Sequence, residues 1–100
     1  MNLNKNYNSN IEELKKKFIQ LNLYDLYEVS KFSLKLLNLE LIFNENLKIK
    51  ILSFSISALY DNYLKKYIYL IDINYIKNDL EFSGDFEEFM KDIFNLKLPY

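Results

Sequence analysis

The fold turns on the stretch Leu47-Lys48-Ile49-Lys50-Ile51-Leu52-Ser53-Phe54-Ser55-Ile56-Ser57-Ala58-Leu59-Tyr60, continued by Asp61-Asn62-Tyr63-Leu64-Lys65-Lys66-Tyr67. Read as a strand, it contradicts itself. Leu47, Ile49 and Ile51 hold one phase of alternation, whereas Leu52, Phe54 and Ile56 hold the other. A strand shows one face to the core, so a change of phase exposes half of its apolar residues. A helix removes the conflict: Ile49, Leu52, Ile56, Leu59, Tyr60, Tyr63 and Tyr67 fall within about 100° of one another on a helical wheel. Leu47, Ile51, Phe54 and Ala58 form a second, weaker stripe. A helix over 46–66, central and packed on two sides, is the resulting expectation.

On the N-terminal side, Asn44-Glu45-Asn46 is the clearest break in the chain. Before it, Glu28, Lys31, Lys35 and Asn38 recur as one polar stripe, opposite Leu26, Val29, Phe32, Leu36, Leu37 and Leu39. That periodicity predicts a helix over 25–39 with Asp25 as its cap. Leu39 to Phe43 reads either as its extension or as a short strand. Further upstream, Ile11, Leu14, Phe18 and Leu21 predict a helix over 10–21, started by Asn8, Ser9 or Asn10, with Lys15, Lys16 and Lys17 facing water. Residues 1–8 are polar and Asn-rich and read as a flexible arm, leaving 9–100 as a single helical domain.

On the C-terminal side, Tyr67 to Asn78 is dense in Ile and Tyr, which suits a strand. A lone strand needs a partner, and only 39–43 offers one, so continued helix is the favoured reading. A last helix is expected over 85–95, capped by Ser83 or Asp85, with Phe86, Phe89, Met90, Ile93 and Phe94 as its apolar face and Pro99 closing the chain. One Gly and one Pro leave little turn chemistry for a multi-stranded sheet. The fold class expected is all-α: a compact bundle of four to five helices, with room for a short strand pair at 39–43 and 67–76. Its core should centre on Ile56, Leu59 and Tyr63, packed by Phe32, Leu36, Phe89 and Ile93.

Composition excludes more chemistry than it suggests. The 100 residues include no His, Cys, Trp, Arg or Thr, and Leu, Ile, Asn, Lys, Tyr and Phe fill 72 positions. The commonest general base, the usual zinc ligands, thiol nucleophiles and the planar phosphate clamp of Arg are therefore missing. A single Gly rules out a Gly-rich phosphate loop. Neither an enzyme nor a cofactor or metal site is expected. Asp72-x-Asn74 with Asp79 and Glu81 lacks the central Gly of a calcium loop. The neighbours Glu12-Glu13 and Glu87-Glu88 diverge on their helices and form no acid/base pair. The formal charge of −1 argues against direct nucleic-acid binding. The longest uncharged run, Ile51 to Tyr60, is too short for a membrane-spanning helix, and no signal-type stretch opens the chain, so a cytoplasmic location is expected.

Two features are non-random. Residues 72–92 carry seven acids against Lys77 and Lys91, while residues 1–50 carry eight lysines against six acids. Tyr60, Tyr63, Tyr67, Tyr69 and Tyr75 crowd within sixteen positions. The bland reading of each, a solvated charged helix face and rings at the core boundary, has the higher prior. Taken together they suggest a protein-binding surface formed by Tyr67, Tyr69, Tyr75, Asp79, Glu81, Glu87 and Glu88, with tyrosines for affinity and acids for steering. The functional expectation is a small non-catalytic inhibitor (an immunity protein, an antitoxin or an anti-CRISPR-like protein) docking on a basic partner such as a nuclease. The alternative is a small helical subunit of a homo-oligomer or larger complex, using the stripe Leu47, Ile51, Phe54 and Ala58 as its interface.

Overall fold

A computed structural model describes residues 3–97, with side chains placed for residues 11–43 and 45–93. The element order is α1 (Leu3–Ile19), α2 (Leu26–Leu36), β1 (Glu40–Asn44), β2 (Leu47–Asp61), β3 (Lys66–Lys77), β4 (Leu80–Asp85) and α3 (Phe86–Lys97). The four strands form one antiparallel meander in the order β1-β2-β3-β4. This is a mixed α and β fold and corrects the expected helical bundle: 46–66 is not a helix, and 67–77 is strand. The segments 39–43 and 67–76 both contribute strands, yet they do not pair with each other. β2 lies between them, paired to β1 on one side and to β3 on the other.

The physical reason lies at Leu52. Ile51 pairs with Tyr75 and Ser53 pairs with Asn74, so Leu52 is an extra residue in β2 with no partner in β3. A β-bulge of this kind advances the alternation by one position. Ile49 and Ile51 before it and Phe54 and Ile56 after it therefore reach the same face, opposite Ile73 and Ile71. The two phases of alternation belong to one strand.

The turns are made without glycine. Asn78 and Asp79 both have positive φ, at 51° and 66°, as the two-residue turn of a right-twisted hairpin requires. Asn38, with φ 64°, ends α2 in the left-handed conformation that a short amide side chain tolerates. Lys65, with φ 56°, closes the β2–β3 loop. The Asn and Asp content supplies the turn chemistry that the Gly count denied.

The core lies between one face of the sheet and the helices. It joins Ile11 and Leu14 of α1, Val29, Phe32 and Leu36 of α2, Leu41, Ile49, Ile51, Ile71 and Ile73 of the sheet, and Phe86, Phe89, Met90 and Ile93 of α3. Phe18, Phe32 and Phe86 meet as an aromatic cluster with centroids 5.1–5.9 Å apart. Buried Ser33 satisfies its hydroxyl on the Val29 carbonyl at 2.8 Å. Phe32, Leu36, Phe89 and Ile93 thus take their expected core places. Ile56 only packs against the core, while Leu59 and Tyr63 are exposed, which corrects the expected centre. Nor is Leu47, Ile51, Phe54 and Ala58 an outer stripe, because Ile51 is fully buried.

The caps follow local rules. Asp25 accepts from the Tyr27 and Glu28 N–H groups at 3.0 and 3.3 Å, as an N-cap does. Asp85 accepts from the Glu87 N–H at 2.7 Å and starts α3, with Glu87 and Glu88 in the first turn. The α1 backbone is already helical at Leu3, so Asn8, Ser9 and Asn10 do not start it. Met1 and Asn2 of the expected arm, Pro99, and the side chain of Phe94 lie outside the described residues.

Candidate functional site: a tyrosine-bearing hairpin arm

β2 and β3 are much longer than their neighbours. β1 pairs with β2 only as far as Lys50, and β4 pairs with β3 only from Asp72 onward. Between these limits and the loop at 62–65, the β2–β3 hairpin runs on as a two-stranded arm, Ile56–Asp61 against Lys66–Ile71. The molecule measures 49 × 25 × 25 Å as a result. An isolated two-stranded hairpin is marginal in water, so the arm needs support where it leaves the core.

That support comes from the loop between α1 and α2. The Tyr69 N–H donates to the Leu23 carbonyl at 2.8 Å, covering the β3 edge. The Tyr24 hydroxyl donates to Asp61 Oδ2 at 3.3 Å, and Lys66 Nζ lies 4.5 Å from the Tyr24 ring centroid. Asp61 Oδ1 accepts from the Tyr63 and Leu64 N–H groups at 2.9 and 3.1 Å, which shapes the tip. These bonds, the one from Leu64 foremost and then that from Tyr63, hold the Asp61 carboxyl below its ordinary range, helped by the Tyr24 hydroxyl and the Lys66 charge. Partial burial and then the Asp61 charge push the Tyr24 hydroxyl upward.

The arm presents rings to solvent. On the face that continues the core, Tyr60 and Tyr67 stand opposite one another with centroids 5.1 Å apart and planes at 74°, and Tyr69 lies 6.5 Å beyond Tyr67. Leu59 holds the other face, and Tyr63 and Leu64 occupy the tip, Tyr63 at 93% exposure. Leu59, Tyr60, Tyr63, Leu64 and Tyr67 make up five of the twelve exposed large apolar side chains among the described residues. They sit within nine positions of sequence, a concentration of exposed apolar side chains rather than a scatter.

The residues expected as the binding surface fall into two groups. Tyr67 and Tyr69 are on the arm. Tyr75 lies eight positions along the same strand, about 27 Å away at about 3.4 Å per residue. It is half-buried, stacked on Phe82 at 5.6 Å and packed against Phe89 at 4.8 Å. Desolvation, with the Asp92 charge second, pushes its hydroxyl upward. Asp79 is in the β3–β4 turn, Glu81 is exposed on the same face as Ile76, and Glu87 and Glu88 are exposed on α3. The tyrosine arm and the acids Asp79 and Glu81 are therefore at opposite ends of β3, while α3, which carries Glu87 and Glu88, starts beside Asp72 near the middle of that strand. Sequence reasoning places the exposed Tyr63 at the centre of the core, leaves Tyr60 out of the expected surface, and passes over Tyr24 and Leu64. The signal for the tip was Asp61-Asn62, a turn-forming pair between two apolar runs.

Among the described residues no group of three or more acidic side chains converges as a metal site, and no helix is long and apolar enough to cross a membrane. Comparison with protein-family models, with curated proteins and with solved structures finds no match for this chain.

Proposed function

We propose that this chain acts by binding another protein, with the β2–β3 arm as its contact element. The observation that carries the reading is the exposure of Leu59, Tyr60, Tyr63, Leu64 and Tyr67 at the end of an arm held in place by Tyr24, Asp61 and Leu23. Tyrosine offers a large, stiff contact area with a polar tip, and an arm already braced loses little freedom on docking. A narrow hairpin also suits insertion into a cleft, which is how a small inhibitor blocks a larger enzyme. The acids of the β3–β4 turn, β4 and α3, away from the arm tip, would orient a basic partner such as a nuclease during approach more than they would add affinity. An inhibitor of the immunity-protein, antitoxin or anti-CRISPR-like kind uses both ends.

The test is a paired comparison. A partner captured from the source cells by the natural chain should be lost with the double variant Tyr63→Ser/Tyr67→Ser, whose fold is checked by circular dichroism. Glu87→Lys/Glu88→Lys should retain it and slow its association. A partner that ignores the arm variant and is lost with the acid variant would move the contact surface to α3.

A further inference from the structure

One edge of the arm is covered and the other is not. On β3, the Leu23 carbonyl takes the Tyr69 N–H. On β2, the Asn38 N–H and the Leu39 carbonyl reach as far as Ile51. From Ser53 to Asp61, no backbone hydrogen bond among the described residues reaches the outer edge of β2. An open strand edge is a template for another strand, and proteins usually blunt it with Lys, Pro or an inward charge. Between Lys50 and Asp61 this strand has no charged residue and no proline.

We propose that this edge pairs, antiparallel, with the same edge of a second copy of the chain, about a two-fold axis at Ser57. The open stretch is bounded by the bulge at Leu52 and the loop at Asn62, so Ser57 is its midpoint. Pairing about that point sets Phe54 opposite the partner's Tyr60, Ile56 opposite the partner's Ala58, and Ser55 opposite the partner's Leu59. Even-numbered apolar residues face one another, ring against ring for Phe54 and Tyr60 and large beside small for Ile56 and Ala58, and the Ser53, Ser55 and Ser57 row stays on the solvent side. A two-fold interface must be self-complementary, and the even-numbered face of this strand meets its copy apolar against apolar. The formal charge of −1 gives two copies little reason to repel.

Edge pairing leaves both faces of the arm open, so the dimer is independent of the protein-binding role above and neither stands or falls with the other.

The native chain, studied by light scattering over a concentration series, should reach twice 12.1 kDa. Residue 57 faces its own copy, so Ser57→Lys and Ser57→Glu should each raise the dimer dissociation constant by about tenfold or more. Mixing the two variants should restore the dimer. The chain has no cysteine, so Ser57→Cys gives an unambiguous second reading. It should cross-link to dimer under mild oxidation, whereas Ser83→Cys, on the solvent face of β4, should not. A monomer at every concentration with no Ser57→Cys cross-link overturns the proposal. So does a dimer indifferent to the charge at position 57, since another surface then makes it.

Discussion

The Tyr24 hydroxyl donates to Asp61 Oδ2 at 3.3 Å, joining the α1–α2 loop to the tip of the β2–β3 arm across 37 positions of sequence. The same carboxylate receives two N–H groups of the tip loop through its other oxygen. One ionised side chain thus orders the tip and anchors it.

A pH dependence follows. The Asp61 pKa is lower in the folded chain than in the unfolded one, chiefly because the Leu64 N–H bonds to the ionised form. Its stabilising contribution is complete above the ordinary Asp value and is lost as pH falls through the lowered folded value. Amide exchange at Tyr63 and Leu64, corrected for intrinsic pH dependence, should therefore accelerate on acidification before the core amides respond. Asp61→Ala should show the fast exchange at neutral pH, and unchanged protection in that variant would detach the tip from Asp61.

Core and arm should respond oppositely to truncation. Ile73 is buried between β2 and the helices, so Ile73→Ala should cost about 2–5 kcal/mol of unfolding free energy. Leu59 is 59% exposed, and Leu59→Ala should change stability by about 0.5 kcal/mol or less. Urea melts of the two variants check both values. Equal costs would place Leu59 in a core.

Binding should reverse that order. With a partner in hand, Tyr67→Ala or Tyr63→Ala should weaken the complex by about 2 kcal/mol for an anchoring ring. Tyr63→Ala should leave the urea midpoint in place, because that ring is almost wholly solvated, whereas Tyr67, half-exposed and edge-on to Tyr60, should shift it only slightly. Calorimetric titration measures the loss, and a weakening that tracks lost stability would assign these rings to the fold.

The β3–β4 turn should accept glycine with a gain. Asn78 and Asp79 both hold positive φ, and an L-residue there carries roughly 1–2 kcal/mol of steric cost, less for Asn and Asp. Asp79→Gly creates the Asn-Gly pair that such turns favour. A rise in melting temperature is the expected result, and a fall would show that the Asp79 side chain contributes more than its backbone costs.

The helices were legible in the residues and the sheet was not. The polar stripe Glu28, Lys31, Lys35 and the cap Asp25 identify α2 because a helix writes its period and its start locally. Asp85 and the Phe86, Phe89, Met90 and Ile93 face do the same for α3. β2 misleads because the bulge at Leu52 joins two strand phases into a pattern that also satisfies a helical wheel. Turn residues concealed the meander, since Asn78, Asp79, Asn38 and Lys65 take conformations for which glycine is the usual marker. The tyrosines stood out in the sequence by their crowding, and Tyr67 and Tyr69 do share the arm. Their separation from the acids follows from strand rise, which a helical reading shortens by more than half.

Leu52 is an inserted residue in a single continuous strand, and deleting residues tests that directly. Removing Leu52 should leave every other pair of the β2–β3 register in place, with Ile51 opposite Tyr75 and Ser53 opposite Asn74. Removing Ser55 instead should send either Phe54 or Ile56 to the solvent face. The measurement is the set of cross-strand nuclear Overhauser contacts in the two deletion variants, beside their urea midpoints. The account predicts native β2–β3 contacts and cooperative unfolding for the Leu52 deletion, and loss of both for the Ser55 deletion. Equal disruption by the two deletions would contradict it.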